Sequence, residues 1–394
     1  MTVTTNLSGA DNYVLQATIS AYSDEAYTNA KKLSGTGIVG SNPDIDPSTE
    51  TFIGQVRWYK PLNPTVNVAS LTNAANGTTT SYSSDYYTYI KTVRTHGANK
   101  VNMQQVVTQV DGLAKIGRDF AETRAQDEHN ALLSVLKGVA ISELMYGAGA
   151  ASGQAGLGGQ TFDNDPTDKR YGFYVDMGAS KPVIEATNAV QGAARAEAFL
   201  QAFGKAYKDY EPEYAYLVTS PEVMASLRSA NLVDSTMVSD GNVEFSTIFN
   251  GKFRLIQTRA AQSLSSAELT KINGAAGINV AGTKTSFIVL PGALAMAGLA
   301  VPEQTEIYRD GRAYQGGGAT SIWYRWGYVM HPAGYNWAGS QDAFPADADY
   351  MKVVEAGAPV GLTAATDGLA DTTGVWTRKA TSALSLGILP VFHA

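Results

Sequence analysis

Strand-forming aromatic and β-branched residues concentrate in two stretches early in the chain, Phe52 to Lys60 and Tyr86 to Arg94. Between them Leu71 to Ser84 reads LTNAANGTTTSYSS, a run of Asn, Gly, Thr and Ser that suits a turn and has nothing to bury. The pattern predicts a projecting hairpin. A two-stranded ribbon is at best marginally stable alone in water, so this one must lie on its own chain or on a neighbouring subunit. From Val106 to Leu144 the apolar positions Leu113, Ile116, Phe120, Leu132, Leu133, Leu136 and Val139 recur at helical spacing, with charged residues between them. One long helix is predicted, delayed at its start by Gly112 and Gly117, with Phe120, Leu132, Leu133 and Leu136 packing it.

Residues 1–50 combine a short amphipathic piece, Tyr13 to Leu33, with a turn-rich stretch, Gly35 to Thr49, and read as an arm. Tyr146 to Gly159, YGAGAASGQAGLGG, is too rich in glycine for helix or strand and predicts a flexible crossing. Ala186 to Tyr207 reads as a second helix and Tyr214 to Thr219 as a buried strand. Ser220-Pro221-Glu222 starts another helix, with serine as cap and proline in the first turn. Asn250-Gly251 marks a hairpin turn, and Thr285 to Leu290 is a strand ended by Pro291. Ile322 to His331 alternates with period two. Ile322, Tyr324, Trp326, Tyr328 and Met330 share one face, and Trp323, Arg325, Val329 and His331 the other. Both faces are bulky, so this strand is expected at the centre of a sheet, with a helix on one side and another covering, such as a partner, on the other. After Pro345 the chain reads as a Gly, Ala and Thr-rich extension.

The 394 residues are 44% hydrophobic, enough for a large core divided into two domains with excursions. Lys and Arg number 29 against 36 Asp and Glu, and this net charge of -7 argues against sequence-specific DNA binding. There is no cysteine, which removes disulfides, thiolate chemistry and cysteine-bound zinc. The first residues lack the pattern of a signal peptide, and no run approaches the roughly 20 apolar residues of a spanning helix, so no membrane association is expected.

Several motifs tempt and fail. Gly35-Thr36-Gly37-Ile38-Val39-Gly40 matches the dinucleotide fingerprint, but Ser41-Asn42-Pro43 follows where a helix must begin, so a plain turn is expected. Gly277 to Gly282 with Thr283-Lys284 misses the phosphate-loop spacing. Asp44-Ile45-Asp46 lacks the glycine and glutamate of a calcium loop. His96, His129, His331 and His393 are scattered, and neither HExxH nor GxSxG occurs. No catalytic, cofactor-binding or metal-ligating residue is proposed, and the chain reads as a non-enzyme. On the hairpin, Phe52, Val56, Trp58, Tyr59, Tyr86, Tyr87, Tyr89 and Arg94 are the expected intersubunit contacts, because Tyr and Trp suit a covered body with a wet tip.

The order of these parts resembles the major capsid proteins of tailed bacteriophages, the Hong-Kong-97-type fold. The likeness is carried by LVTSPEVMASLRSANLV leading to FNGKFRLIQT within Tyr214 to Thr258, and by TSIWYRWGYVMHPAGYNWAG at Thr320 to Gly339. It implies an α+β chain with an N-terminal arm (1–50), an extended β-hairpin loop (51–100), and a peripheral domain with the spine helix and crossing (101–185). An axial domain (186–315), the peripheral return strand (316–345) and a C-terminal extension (346–394) complete it. It further implies self-assembly into hexamers and pentamers of an icosahedral head around double-stranded DNA, with the loop lying across a neighbour. The protein would be made in the host cytoplasm and end in the virion. Portal, scaffolding or decoration proteins would be partners, with non-specific contact to packaged DNA and no cofactor. The scaffolding segment and the lysine–asparagine crosslink of some members are not matched. An encapsulin-like compartment and a tail or fibre protein are the alternatives, and long helices count against the latter.

Overall fold

The computed structural model describes residues 36–40, 45, 51–59, 84–101, 112–148, 173–176, six positions of 199–207, 212–229, 232–240, 243–258, 284–340, 343–355, 372–379 and 386–393. In chain order the elements are β1 (Val39–Gly40), β2 (Ile53–Tyr59), β3 (Ser84–Val101), helix α1 (Gly112–Ala148), β4 (Val175–Asp176), β5 (Ala215–Thr219), helix α2 (Pro221–Ser229), β6 (Val233–Asp240), β7 (Val243–Ile248) and β8 (Phe253–Gln257). Then come β9 (Lys284–Val289), β10 (Leu294–Leu299), β11 (Thr305–Asp310), β12 (Ala319–Pro332), β13 (Tyr335–Trp337), β14 (Val353–Glu355), β15 (Thr372–Gly374), β16 (Trp376–Arg378) and β17 (Ile388–His393). The class is α+β, with two main sheets.

The first sheet runs β1-β10-β12-β3-β2, with β11 also paired to β12. Strand β12 is paired along both edges: β11 and then β10 follow one side, and β3 the other. Strand β3 is longer than its sequence suggests. Residues 84–90 pair with β2 as the hairpin, and residues 91–101 pair with β12 in the body of the sheet. The expected hairpin is therefore one end of a strand whose other half is central. Its tip, residues 71–83, lies outside the described residues.

Helix α1 spans 37 residues, about 55 Å at 1.5 Å per residue. It begins at Gly112 and runs on through Gly117, which did not delay it, and it takes in Tyr146, Gly147 and Ala148, which composition had assigned to the crossing. Helix formation is cooperative, and the preceding turn is already fixed by tertiary packing, so the last residues propagate an existing helix. Phe120, Leu132, Leu133 and Leu136 are all buried. From Ala131 to Leu136 every position is buried, because elements pack around the whole circumference. At Gly138 a Cβ would collide with the Tyr350 carbonyl, so only glycine allows that chain to approach so closely.

The second sheet runs β4-β17-β9-β5-β8-β7-β6. Its centre is mostly apolar: Leu217, Val218, Phe287, Ile288, Leu389 and Val391 are buried, and the buried Thr219 and Ser286 hydroxyls bond each other at 2.8 Å. Helix α2 begins where the sequence placed it. The Val223 amide donates to Ser220 Oγ (3.4 Å), capping the first turn. Phe249, Asn250 and Gly251 all have positive φ and form the turn between β7 and β8.

Three sequence expectations are corrected. The stretch after Pro345 is not an appendage: Tyr350 stacks on Trp376 at 6.2 Å, Trp337 meets Trp376 edge-on at 5.1 Å, and β17 is interior to the second sheet. Short strands and small residues hid this, since their burial depends on helix α1, over 200 residues earlier. Second, β10 and β11, which fall within the stretch 186–315, pair in the first sheet with β12 and not in the second. Third, the 1–50 stretch is not wholly an arm. Val39 and Gly40 join β10, and Ile38 is buried in the core. Of the expected helix 186–207, only Phe199, Leu200, Phe203, Gly204, Ala206 and Tyr207 are described, and they are helical.

Candidate functional site

The first sheet has two faces of different character. Toward α1 it presents Ile322, Tyr324, Trp326, Tyr328 and Met330, all buried. Phe120 of the helix stacks on Tyr324 at 5.5 Å. Polar groups fix this contact at one point. Asp127 of α1 accepts from Trp326 Nε1 and Tyr328 OH, each at 3.0 Å, and pairs with Arg94 of β3 at 3.3 Å. Arg94 also reaches Asp347 at 2.9 Å. Burial and the Asp127 carboxylate push the Tyr328 phenol far up, so it stays a donor.

The opposite face divides in two. At the hairpin root, Val56, Tyr89, Ala295 and Val329 form a small cluster closed by Ile45 from the N-terminal stretch. At the far end, Trp323 remains 45% exposed and Tyr308 of β11 50%. The register places Trp323 between Glu306 and Gly97. Its indole lies across Gly97, where a Cβ would come within 2.8 Å of the ring. Arg325, two residues on, pairs with Glu306 at 2.5 Å. The turn joining β11 to β12 carries Tyr314 and Gln315 in the left-handed region, φ 54° and 57°, and displays the Tyr314 ring to solvent. Non-glycine residues there cost on the order of 1–2 kcal/mol each.

The hairpin residues named from sequence separate into three groups. Phe52 and Tyr86 are 41% and 46% exposed; Phe52 meets the equally open Phe344 edge-on at 4.9 Å, and Arg57 lies over Tyr86. Tyr87 is half-buried against His331, and burial beside Asp85 pushes its phenol up to about 12. Val56 and Tyr89 are buried within the chain, and Arg94 pairs with Asp127 and Asp347. Alternation told which way they point but could not show that Ile45 and Asp127 wait there. The side chains of Trp58 and Tyr59 lie outside the described residues. Sequence reading missed Tyr308, Tyr314 and Phe344. The Gly316-Gly317-Gly318 run beside Tyr314 was the available signal for a strained turn.

Among the described residues no cluster of His, Cys, Asp or Glu could hold a metal ion. The fingerprint-like stretch enters a strand instead of a helix: Gly37 and Ile38 carbonyls accept from Gly292 and Leu294. No described helix is long and apolar enough to cross a membrane.

No family model and no curated protein matches the chain. Among solved structures, it is similar to the head structure of Helicobacter pylori bacteriophage KHP40, with 10% identity and a TM-score of 0.46 over 91% of this chain and 89% of that one. A structure of Mycobacterium phage Che8 gives 12% and 0.43 over 75% and 85%. The capsid of Ralstonia phage GP4 gives 11% and 0.41 over 75% and 83%. Each TM-score is below 0.5, too low to define a fold or a function alone.

Proposed function

We propose that this chain is the major capsid protein of a tailed bacteriophage, a structural subunit of the Hong-Kong-97 type. Subunits assemble into hexamers and pentamers of an icosahedral head that encloses double-stranded DNA, and the protein's place is the virion. The observation that carries the reading is the unfinished outer face of the first sheet. Trp323 and Tyr308 stand open at one end, and a hairpin bearing exposed Phe52 and Tyr86 leaves from the other. A surface of this kind is complete only when copies overlap. Aromatic residues of mixed polarity are the usual core of such contacts, and many modest interfaces add to a shell whose stability depends on subunit concentration.

The order of parts along the sequence supports the same reading. Portal, scaffolding or decoration proteins are its further partners, and packaged DNA is touched without sequence preference, in keeping with the net charge of -7. The test is direct. Purified protein, concentrated stepwise and followed by sedimentation and electron microscopy, is expected to give capsomers or closed particles of uniform size. A monodisperse monomer under all conditions overturns the reading.

A further inference from the structure

His331 lies where the hairpin parts from the sheet. The β3–β12 ladder ends at Lys91 opposite Val329, and from Ile90 backward β3 pairs with β2 instead. His331 is the second residue past that fork and pairs across to Ala295 of β10. Its ring sits 6.0 Å from Tyr87 on the departing strand and 5.8 Å from Trp376 of β16. It is 6% exposed, and among the described residues neither ring nitrogen has a hydrogen-bond partner. Among the described residues, the backbone of Tyr335 on β13 is the polar group that acts on it.

We propose that His331 is an acid-sensitive latch at the hairpin root: neutral, it is closed over by Tyr87 and Trp376; protonated, it draws water in and releases the hairpin from the body. An imidazolium needs two acceptors, and among the described residues this pocket offers at most one, the Tyr335 backbone, beside the Tyr87 and Trp376 rings. The groups that face it are Tyr87 from β3, Tyr335 from β13 and Trp376 from β16. Charged groups on these elements include Lys91, Arg94 and Lys100 of β3, Asp85 of β3, which is paired to Lys379, and Arg378 of β16, which is paired to Glu143 of α1. Among the described residues, the carboxylates of these pairs, Asp85 and Glu143, already face a cation.

Burial holds the imidazole at about 4, against its ordinary 6.5. The sign follows from linkage. The open state binds the proton more readily than the closed one, so the closed state is fully favoured above about 6.5 and loses ground as pH falls toward about 4. The inference rests on the proposed function for its consequence, since it makes the contact-bearing hairpin the part that acid sets free. The latch itself needs no shell.

Hydrogen exchange on the unassembled protein between pH 7 and 4.5, corrected for intrinsic rates, is the test, with His331→Phe and His331→Gln beside the wild type. Protection in Ile53–Tyr59 and Ser84–Ile90 is expected to fall by about 50-fold in the wild type while α1 stays protected. In His331→Phe the fall is expected to be at least about tenfold smaller. Equal loss in wild type and variant, or simultaneous loss in α1, overturns the latch. Should the variants fail to fold, the wild-type imidazole resonances decide: one ring titrating near 4 together with hairpin signals supports it, and four ordinary titrations overturn it. Failure to form particles at pH 7 would count against the proposed function and leave this result standing.

Discussion

The two ends of β12 show how one strand can be finished at one end and unfinished at the other. At the Pro332 end both faces are covered, by α1 and the C-terminal strands on one side and by Ile45, Val56 and Tyr89 on the other. At the Ala319 end the helix face is filled by Ile322 and Tyr324, yet Trp323 lies open on the reverse. Both ends carry large aromatics, so composition does not separate them. The difference lies in what the chain brings back to each place. Burial that a chain supplies itself contributes to folding, and burial it leaves undone is available to association.

The contrast can be broken most sharply at the closed end. Arg378→Ala strands the Glu143 carboxylate, which is fully buried and otherwise held by Arg378 and the Phe173 amide. A loss of about 3–5 kcal/mol in unfolding free energy is expected by denaturant titration. Trp376→Ala removes the ring that Trp337, Tyr350 and His331 share, and is expected to cost about 3–4 kcal/mol by the same measurement. Asp127→Ala leaves Trp326 Nε1 and the Tyr328 hydroxyl without their acceptor. About 1–3 kcal/mol is expected there, with the effect centred on the seam between helix and sheet. At the open end, Trp323→Ser is expected to change subunit stability by less than about 1 kcal/mol. The same variant should raise the protein concentration needed for particles by at least about tenfold, read by light scattering. If Trp323→Ser destabilised the subunit as strongly as Trp376→Ala, the distinction between the two ends would fail.

Much of this contrast could be read in the chain, and the unread part has a common cause. The period-two pattern from Ile322 to Met330 placed five residues on one face, and all five are buried. The spine helix and the capped start at Ser220 were equally plain, because each signal is complete within a few residues. The reverse face was harder. Alternation assigns Trp323 and Val329 to the same side, but whether each is covered depends on Ile45 and on β10, hundreds of residues apart in sequence. The three-residue strands β13 to β16 have no periodicity to detect. Their place is set by contacts such as the Trp376 amide on Ser142 Oγ at 3.1 Å. Arg94 was read as a contact for a neighbour because a lone arginine on a strand gives no hint of Asp127 and Asp347.

The position of β17 carries a consequence for the timing of biosynthesis. It lies between β4 and β9, so the second sheet stays divided until residues 388–393 emerge from the ribosome. At roughly 5–20 residues per second, the hundred or so residues separating β9 from β17 take about 5–20 s to translate. Throughout that interval the nascent polypeptide holds β9 with one side unmatched. Only a chain elongated through residue 393 can close this sheet, so the subunit's second core is completed by one of the last strands described.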